Sequence, residues 1–370
     1  MNKVVKAPFP YFGGKSGVAA RIWERIGEVR NYVEPFCGSA AILLADPYGI
    51  PTRTINDADG FVSNFWRAVS LDPDNVAKWL DWPVNEMDLY ARHVWLMDQR
   101  DTMVENLYSD PNWYDSKVAG WWCWGVCASI GNDWCSGKKV LTRMPHLGNG
   151  GQGIHSGEST GSTSRLPRLN SPGHGVNRPG LTRLPSLGNA GRGINRRIPH
   201  LTDSGMGIHR VGLTVNEDGT PIKGRGAVRE NLVKYMNELA DTLRRVRVTC
   251  GDWQRVCNPS VTIGHGLTGV VLDPPYGEGS VDYAAGGNLD KGIAWDVWNW
   301  AIENGDNPLY RIAVCGYDDG RPTPPGWKVL KWTARKGHQK AEKAIDNPAR
   351  ERVWFSPHCI TPNQQLSLFE

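Results

Sequence analysis

The chain has 370 residues, enough to bury a sizeable core and more than one domain usually needs, so we expect one main domain with an elaboration. It contains no run of about 18 uncharged apolar residues, its N-terminus lacks the apolar core of a signal peptide, and its eight cysteines lack the paired spacing of a disulfide framework. These features exclude a membrane protein and a disulfide scaffold and predict a soluble, cytoplasmic protein with mostly buried cysteines, while the net charge of +4 leaves a polyanionic partner open.

The first 130 residues predict half of an α/β sheet followed by helices. An apolar strand over residues 32–35, a Gly/Ser turn, a helix over 40–45 and a second strand over 53–57 form a βαβ-like pattern. That pattern is typical of one half of a nucleotide-binding sheet. Residues 61–130 then have a mostly helical pattern.

An internal repeat occupies much of the next hundred residues. Its unit is Arg-apolar-Pro-x-Leu-x-x-x-Gly-x-Gly-(Ile/Val)-(His/Asn), and its copies begin at Arg143, Arg165, Arg183 and Arg197. The spacing shrinks from 22 to 18 to 14 residues, whereas a regular solenoid would keep its period. The Pro and paired Gly of each unit oppose a long helix, so we expect turns and short extended pieces.

The same stretch carries the positive charge of the protein. Between Lys138 and Arg229 there are 14 Lys and Arg against 4 Asp and Glu, about +10, which leaves about −6 for the remainder of the net +4. Lys and Arg gain affinity for polyanions by displacing counterions from phosphates. The segment therefore favours a polyanionic partner, and the alternative is a solvated loop.

An α/β pattern resumes after the repeat. It predicts helices over 227–245 and 295–303, and strands over 247–250, 269–272, 311–315, 327–332 and 352–355. We expect an α/β protein in which residues 1–70 and 228–370 form a discontinuous Rossmann-like domain. Residues 71–130 form a helical subdomain in this prediction, and 131–227 form a long Gly/Pro/Arg-rich repeat insertion.

The most specific motif is Asp273-Pro274-Pro275-Tyr276, directly after an apolar strand. Open α/β sheets bind ligands at the carboxyl ends of their strands, so the motif places a carboxylate and a phenol at that edge. The prolines lack N–H groups and fix φ, which leaves the Pro274 carbonyl to accept a hydrogen bond. Asp273 and that carbonyl can together accept both hydrogens of an exocyclic amino group, while Tyr276 can stack on the base. The alternative is an ordinary strand-ending turn.

Two further clusters carry small residues of the kind that approach a nucleotide-like ligand. The segment from Tyr32 to Ser39 is a strand with a small-residue turn, and Asp57 ends the next strand, where a carboxylate commonly accepts hydrogen bonds from a ribose. The N-terminal cluster includes Gly13-Gly14-Lys15-Ser16 but lacks the full P-loop spacing, which disfavours a phosphate-binding NTPase. A zinc site at Cys123, Cys127 and Cys135 is disfavoured because the spacing matches no common zinc motif.

Together the clusters resemble a known family. Phe9-x-Tyr11-x-Gly13-Gly14-Lys15, Val33-Glu34-Pro35-Phe36-x-Gly38-Ser39, Asn56-Asp57 and Asp273-Pro274-Pro275-Tyr276 resemble, in this order, the Dam-type (class alpha) adenine-N6 DNA methyltransferases. The resemblance extends to the Gly251-Asp252-Trp253 turn and covers about residues 1–70 and 245–320. The segment from Val353 to His358 is similar to phage and prophage members.

The resemblance implies an enzyme that uses S-adenosylmethionine and methylates N6 of an adenine flipped out of double-stranded DNA. It implies that Asp273, Pro274, Pro275 and Tyr276 hold the target base and that Asp57 binds the cofactor ribose. The other cofactor-binding residues that it implies are Tyr11, Gly13, Gly14, Lys15, Glu34, Pro35, Phe36, Gly38, Ser39, Asp252 and Asp273. No metal is implied.

The insertion lies where the family places target recognition, so Arg143, Arg165, Arg183 and Arg197 are candidate DNA contacts. Partner binding by this segment is an alternative, because family members usually have a shorter and more helical segment there. Two other functions stay open: the same chemistry on RNA or on cytosine N4, and a catalytically silent nucleic-acid-binding protein. Intact Lys15, Asp57, Asp273 and Tyr276 argue against the silent protein.

Overall fold

The architecture is a mostly parallel sheet covered by helices, as the sequence predicts. The computed structural model describes residues 5–11, 14–84, 86–129, 134–135, 225–275, 290–333 and 350–362, which belong to one compact unit, Met1–Gly137 with Ile194–Glu370. The repeats that begin at Arg143, Arg165, Arg183 and Arg197 lie outside the described residues. The described strands are β1 (Asn31–Glu34), β2 (Thr52–Asp57), β3 (Val246–Cys250), β4 (Thr268–Leu272), β5 (Tyr310–Tyr317), β6 (Lys328–Lys331) and β7 (Glu351–Phe355).

These strands form one seven-stranded sheet in the order β3-β2-β1-β4-β5-β7-β6. All pairs from β3 to β5 are parallel, and β7 is antiparallel to both β5 and β6. The central pair joins distant parts of the chain, because Asn31 of β1 lies beside Thr268 of β4. The carboxyl ends of five parallel strands, β3, β2, β1, β4 and β5, therefore lie at one edge of the sheet.

Helices flank this sheet. Those that lie between β2 and β3 in the sequence form an additional helical layer. They are α1 (Ala19–Ile26), α2 (Gly60–Leu71), α3 (Pro73–Leu80), α4 (Glu86–Ser109), α5 (Ser116–Ala128), α6 (Arg225–Leu243) and α7 (Asp290–Gly305). No helix in the described ranges is long and apolar enough to cross a lipid bilayer.

Local sequence explains several of these elements. In α1 the buried residues Ala19, Ile22, Trp23 and Ile26 recur at the spacing of one helix face. Helix α3 starts with Pro73 at its first turn, where the missing N–H costs no hydrogen bond. All five residues of β4 are buried, which is typical of a central parallel strand covered on both faces.

Alternate residues of the strands face two separate hydrophobic clusters. Val271, Ala313 and Val353 belong to the cluster that includes α1 and the helices α2 to α6, while Val270 and Val314 belong to the cluster with α7. Because side chains alternate along a strand, residues on one face can be followed from strand to strand. Side chains at the ends of neighbouring strands can therefore meet only if they lie on the same face of the sheet.

The predicted strands and helices agree with the structure within a few residues, with one correction. The helix predicted over residues 40–45 is wrong: only a 3-10 turn, Leu43–Ala45, forms there. Gly38 and Ala40 both have a left-handed backbone, with φ of 44° and 48°, which is incompatible with a continuing α-helix.

The cysteines are mostly buried, as predicted. Cys123, Cys127 and Cys135 lie in the hydrophobic cluster of the helical layer, and Cys127 Sγ lies 3.8 Å from the carbonyl oxygen of Pro8. The apolar surroundings support the interpretation of these residues as small core side chains.

Candidate functional site

A pocket lies at the carboxyl ends of β1, β2 and β4. It contains about 800 Å³ of empty space, part of which is open to solvent. The turns that follow the three strands form its walls, together with the segment around Lys15. The lining residues are Tyr11, Gly14, Lys15, Glu34, Phe36, Cys37, Gly38, Ser39, Ala41, Ile42, Asp57, Ala58, Asp59, Asp273, Pro275 and Ile293.

The turn after β1 is held by groups on β2. Gly38 N donates a hydrogen bond of 2.9 Å to Asp57 Oδ2, and Cys37 N donates one of 2.9 Å to the Asn56 carbonyl oxygen. The ring of Tyr11 lies so close to Gly38 that an added Cβ would be 2.2 Å from Tyr11 Cδ1. The glycine therefore allows both a left-handed backbone and close approach of the Tyr11 ring to the turn.

Asp57 is a half-buried carboxyl at the end of β2. Besides Gly38 N, it accepts a hydrogen bond of 2.9 Å from Asp59 N at Oδ1. Burial and then the charge of Asp59 raise the pKa of Asp57 to about 7, although the backbone hydrogen bonds oppose the shift. The side chain is thus fixed in direction and close to its titration point at neutral pH.

Glu34 lies deeper in the pocket wall and is 3% exposed. Its Oε2 accepts a hydrogen bond of 3.0 Å from the Tyr32 hydroxyl and one of 3.3 Å from Leu43 N. Burial raises the pKa of Glu34 to about 8, because a charge is costly away from water. At neutral pH a large share of Glu34 is therefore protonated when no ligand is bound.

Lys15 and Asp273 form an ion pair in the pocket wall. Lys15 Nζ lies 2.9 Å from Asp273 Oδ1, and the two side chains are 3% and 18% exposed. Burial alone would lower the pKa of Lys15, but nearby negative charges, first that of Asp273, raise it above its usual range instead. Lys15 is consequently a permanent cation beside the first residue of the Asp-Pro-Pro-Tyr motif.

Most of the predicted site residues meet in this pocket. Pro35 and Pro274 belong to the same turns, but the lining within the described residues does not include them. Asp252 is exposed, and its Oδ1 accepts a hydrogen bond of 2.8 Å from Gln254 N, so it caps a 3-10 turn outside the pocket lining. Gly13 and Tyr276 lie outside the described residues.

Sequence reasoning missed other lining residues, of which Asp59 and Ile293 are the clearest. Asp59 caps α2 by accepting a hydrogen bond of 2.9 Å from Phe61 N, and burial raises its pKa. The signal was present, since an aspartate immediately before a helical pattern is a typical N-cap. Ile293 belongs to α7, and no motif marks it.

The charges of the pocket restrict its ligand. Four carboxyl groups, those of Glu34, Asp57, Asp59 and Asp273, line it together with one lysine that is already ion-paired. Carboxyl oxygens accept hydrogen bonds from hydroxyl and amino groups and attract cationic groups, but they offer few donors to a phosphate. Together with the glycine turn, this fits a nucleoside that carries a positive charge and no phosphate, such as S-adenosylmethionine.

An open, mostly parallel sheet with this pocket at its carboxyl edge is consistent with the Rossmann-like methyltransferase fold. Residues 11–102 match the model of the D12 class N6 adenine-specific DNA methyltransferase family. The match covers about a quarter of the chain, includes Lys15, Glu34 and Asp57, and ends before β4. No curated protein matches the chain.

The match supports the assignment of the chain to the Dam-type adenine methyltransferases. Members of this family are S-adenosylmethionine-dependent enzymes that act on DNA, so the family supports methylation of adenine N6 in DNA. The similarity of the segment from Val353 to His358 to phage and prophage members stays a prediction.

Proposed function

We propose that the chain binds S-adenosylmethionine in the pocket at the carboxyl edge and transfers its methyl group to N6 of an adenine in double-stranded DNA. The observation that carries the proposal is the meeting of Asp273 with Glu34, Gly38 and Asp57 in one pocket, although β4 and β1 are far apart in sequence. The position of Asp273 supports the proposal beyond residues 11–102.

In this proposal the residues of the first two strand ends hold the cofactor. The Asp57 carboxylate accepts hydrogen bonds from ribose hydroxyls, and the Gly38 turn lets the backbone approach closely. Tyr11 packs against that turn, and Glu34 contributes an acceptor on the methionine side. When bound, S-adenosylmethionine supplies an activated methyl on a sulfonium, so the protein needs no metal and no covalent intermediate.

Asp273 and the Pro274 carbonyl accept the two hydrogens of the adenine amino group. This draws the nitrogen lone pair out of conjugation with the ring and directs it toward the methyl group. Lys15 fixes the Asp273 carboxylate through their ion pair. The amino group gains a methyl and loses one proton, for which the carboxylate of Asp273 is the nearest acceptor in this arrangement.

The target base must leave the DNA duplex to reach the pocket, which costs a few kcal/mol of stacking and pairing. We propose that Arg143, Arg165, Arg183 and Arg197 contribute to DNA binding through phosphates and supply part of the affinity that offsets this cost. Asp252 and Tyr276 keep their predicted roles at the cofactor and the target base.

The reaction is tested by incubating the protein with S-adenosylmethionine and either unmethylated duplex DNA or RNA, followed by digestion to nucleosides and mass spectrometry. We expect N6-methyladenine from DNA with the wild type and a loss of at least about a hundredfold with Asp273→Asn, since the Asp273 carboxylate carries two contacts. N4-methylcytosine or methylated RNA would redirect the proposal, and no methylated base would contradict it. Asp318→Asn, an exposed aspartate of a β5 loop, is the control and should retain activity.

A further inference from the structure

We propose that Glu351 is a second counterion of Lys15 and thereby a positioning residue for the methyl transfer, an inference that rests on the proposed function. Glu351 is the first residue of β7 and is 3% exposed, the same burial as Lys15. Neither the motifs nor the pocket lining include it. Its place in the sheet brings it to the side of the site where Lys15 and Asp273 meet.

The antiparallel register of β5 and β7 fixes the direction of Glu351. Cys315 lies opposite Val353, and Tyr317 lies opposite Glu351. Residues directly opposite in a sheet point to the same face, and so do residues two apart on one strand. Glu351 therefore shares its face with Cys315.

The parallel register of β4 and β5 brings Asp273 to that same face. Leu272 lies beside Val314, so Asp273 follows beside Cys315. Val271, two residues before Asp273, belongs to the hydrophobic cluster of this face. One face thus carries Asp273 and Glu351 on the two strands that flank β5.

The segment of Lys15 packs against Trp332, which directly follows β6. The ring of Trp332 would lie 3.7 Å from a Cβ added at Gly17, two residues after Lys15. Trp332 N in turn donates a hydrogen bond of 3.3 Å to the Glu351 carbonyl oxygen. This packing connects the Lys15 turn to the start of β7.

The charge balance gives Glu351 a role. A buried ammonium is stable only when opposite charges or hydrogen bonds compensate it. Asp273 alone would have to serve both as counterion and as acceptor for the target amino group. With Glu351 as a second anion, Lys15 stays protonated when Asp273 takes up the proton released from the methylated nitrogen.

Other groups face Lys15 from the elements around it. The acidic groups that raise the pKa of Lys15 when they are ionised are Asp273 first and then Cys315 and Glu351. Tyr317 on β5 and Glu34 on β1 are further titratable neighbours. Burial raises the pKa of Cys315 and of Tyr317, so both are neutral at the pH of the reaction. Asp273 and Glu351 are then the anions that compensate Lys15, since Glu34 is largely protonated.

The test follows the Lys15 ammonium in the protein without cofactor, by NMR of lysine labelled at Cε and assigned with Lys15→Arg. In the wild type we expect Lys15 to stay protonated above about pH 10.4, where exposed lysines titrate. In Glu351→Gln it should titrate at least about one pH unit lower than in the wild type, and Glu351→Asp should restore most of the difference. Asp318→Asn is the control: it also removes one negative charge, that of the ion-pair partner of Arg352, and it should leave the Lys15 titration unchanged.

Activity provides the second readout. At alkaline pH the single-turnover rate of Glu351→Gln should be about tenfold lower than that of the wild type. The rate of the variant should also begin to fall at a lower pH than that of the wild type, because Lys15 loses its proton at a lower pH. An identical Lys15 titration in the wild type and Glu351→Gln overturns the inference at any activity. If the Lys15 titration shifts in Glu351→Gln but the wild type methylates no base, the proposed function is wrong, while Glu351 is still a counterion of Lys15.

A stability cycle covers the case in which Glu351→Gln folds poorly. Free energies of unfolding are measured for Lys15→Met, Glu351→Gln and the double variant. If the two residues are paired, the double variant is more stable than the sum of the single losses predicts, by about 0.5–3 kcal/mol. Additive losses would overturn the inference.

Discussion

The turn after β1 depends on the absence of a side chain at Gly38. Its φ of 44° is left-handed, and an added Cβ would overlap the ring of Tyr11. The carbonyl oxygen of Gly38 also accepts a hydrogen bond of 2.9 Å from Trp66 Nε1. Movement of this residue would therefore disturb the pocket and the helical layer together.

We expect Gly38→Ala to weaken S-adenosylmethionine binding at least about tenfold and to lower the free energy of unfolding by about 1–3 kcal/mol. Gly320→Ala is the matched control, because Gly320 also has a positive φ of 81° but no atom within 4 Å of an added Cβ. It isolates the backbone strain from the contact with Tyr11. Calorimetric titration and urea unfolding measure the two effects, and equal losses in both variants would refute a specific role for Gly38.

The pKa of Asp57 is about 7, so the proposed binding of the cofactor at this residue should depend on pH. In the proposed complex, ribose hydroxyls donate to the ionised Asp57 carboxylate, so below pH 7 binding must first remove a proton. We expect the affinity for S-adenosylmethionine to rise with pH, by up to about tenfold per unit below pH 7, and to level off above it. Binding at neutral pH should release a proton, which calorimetry in buffers of different ionisation enthalpy detects.

In Asp57→Asn the part of the pH dependence of cofactor binding that belongs to Asp57 should vanish.

The pH dependence of stability has the opposite sign. Because the folded-state pKa of Asp57 is raised, its contribution to stability is complete below about pH 4 and is lost as the pH rises through about 7. The ligand-free wild type should therefore lose stability over this range relative to Asp57→Asn, and parallel curves would contradict the shifted pKa.

At the scale of elements, Asn56 joins the ends of three parallel strands. Its Nδ2 donates hydrogen bonds to the carbonyl oxygens of Pro35, at 3.0 Å, and Gly251, at 2.9 Å. Its Oδ1 accepts one of 2.9 Å from Thr249 Oγ1. A buried amide thus sets the relative positions of the turns after β1, β2 and β3.

Asn56→Asp should lower the free energy of unfolding by about 3 kcal/mol. The carboxylate oxygen that replaces Nδ2 has no hydrogen to donate to the two carbonyl oxygens that it faces. Asn307→Asp is the control, because Asn307 Oδ1 only accepts a hydrogen bond from Leu309 N in a surface turn, which a carboxylate can replace. Urea unfolding at pH 7 compares the two. A similar small loss in both variants would argue against Asn56 as the junction of the strand ends.

The strands and the edge of the site were predictable, because period, apolar runs and strand-ending motifs are local properties. The turn after Glu34 was not. The sequence there suggests a helix through residues 40–45, but the turn is held by acceptors on other elements: Asp57 for Gly38 N and Glu34 for Leu43 N. Glu351 shows the same limit, since only the order and register of β4, β5 and β7 bring it toward Lys15.

At the scale of the whole molecule, the positive charge of the segment from Lys138 to Arg229 predicts the salt dependence of DNA binding. The logarithm of the DNA-binding constant falls as the logarithm of the salt concentration rises. Each phosphate contact that is lost should make this slope less steep by about 0.9. We expect alanine at Arg143, Arg165, Arg183 and Arg197 together to reduce this slope measurably, while S-adenosylmethionine binding stays unchanged. Fluorescence anisotropy over a salt series measures it.

Arg244→Ala with Arg245→Ala is the control for this experiment. Both arginines are exposed and directly precede β3, at the amino edge of the sheet and opposite the pocket. Their removal should leave the slope nearly unchanged. An unaltered slope in the fourfold variant would show that the repeat arginines do not contact phosphates.

The position of β1 in the middle of the sheet has a consequence for synthesis of the protein. Asn31 of β1 meets Thr268 across 237 residues of chain. At about 5–20 residues per second, the ribosome needs roughly 10–50 s after β1 emerges before its second neighbour, β4, is available. During that interval the edge of β1 that pairs with β4 in the folded protein lacks its partner, so we expect the folding yield to depend on chaperones that cover nascent chains.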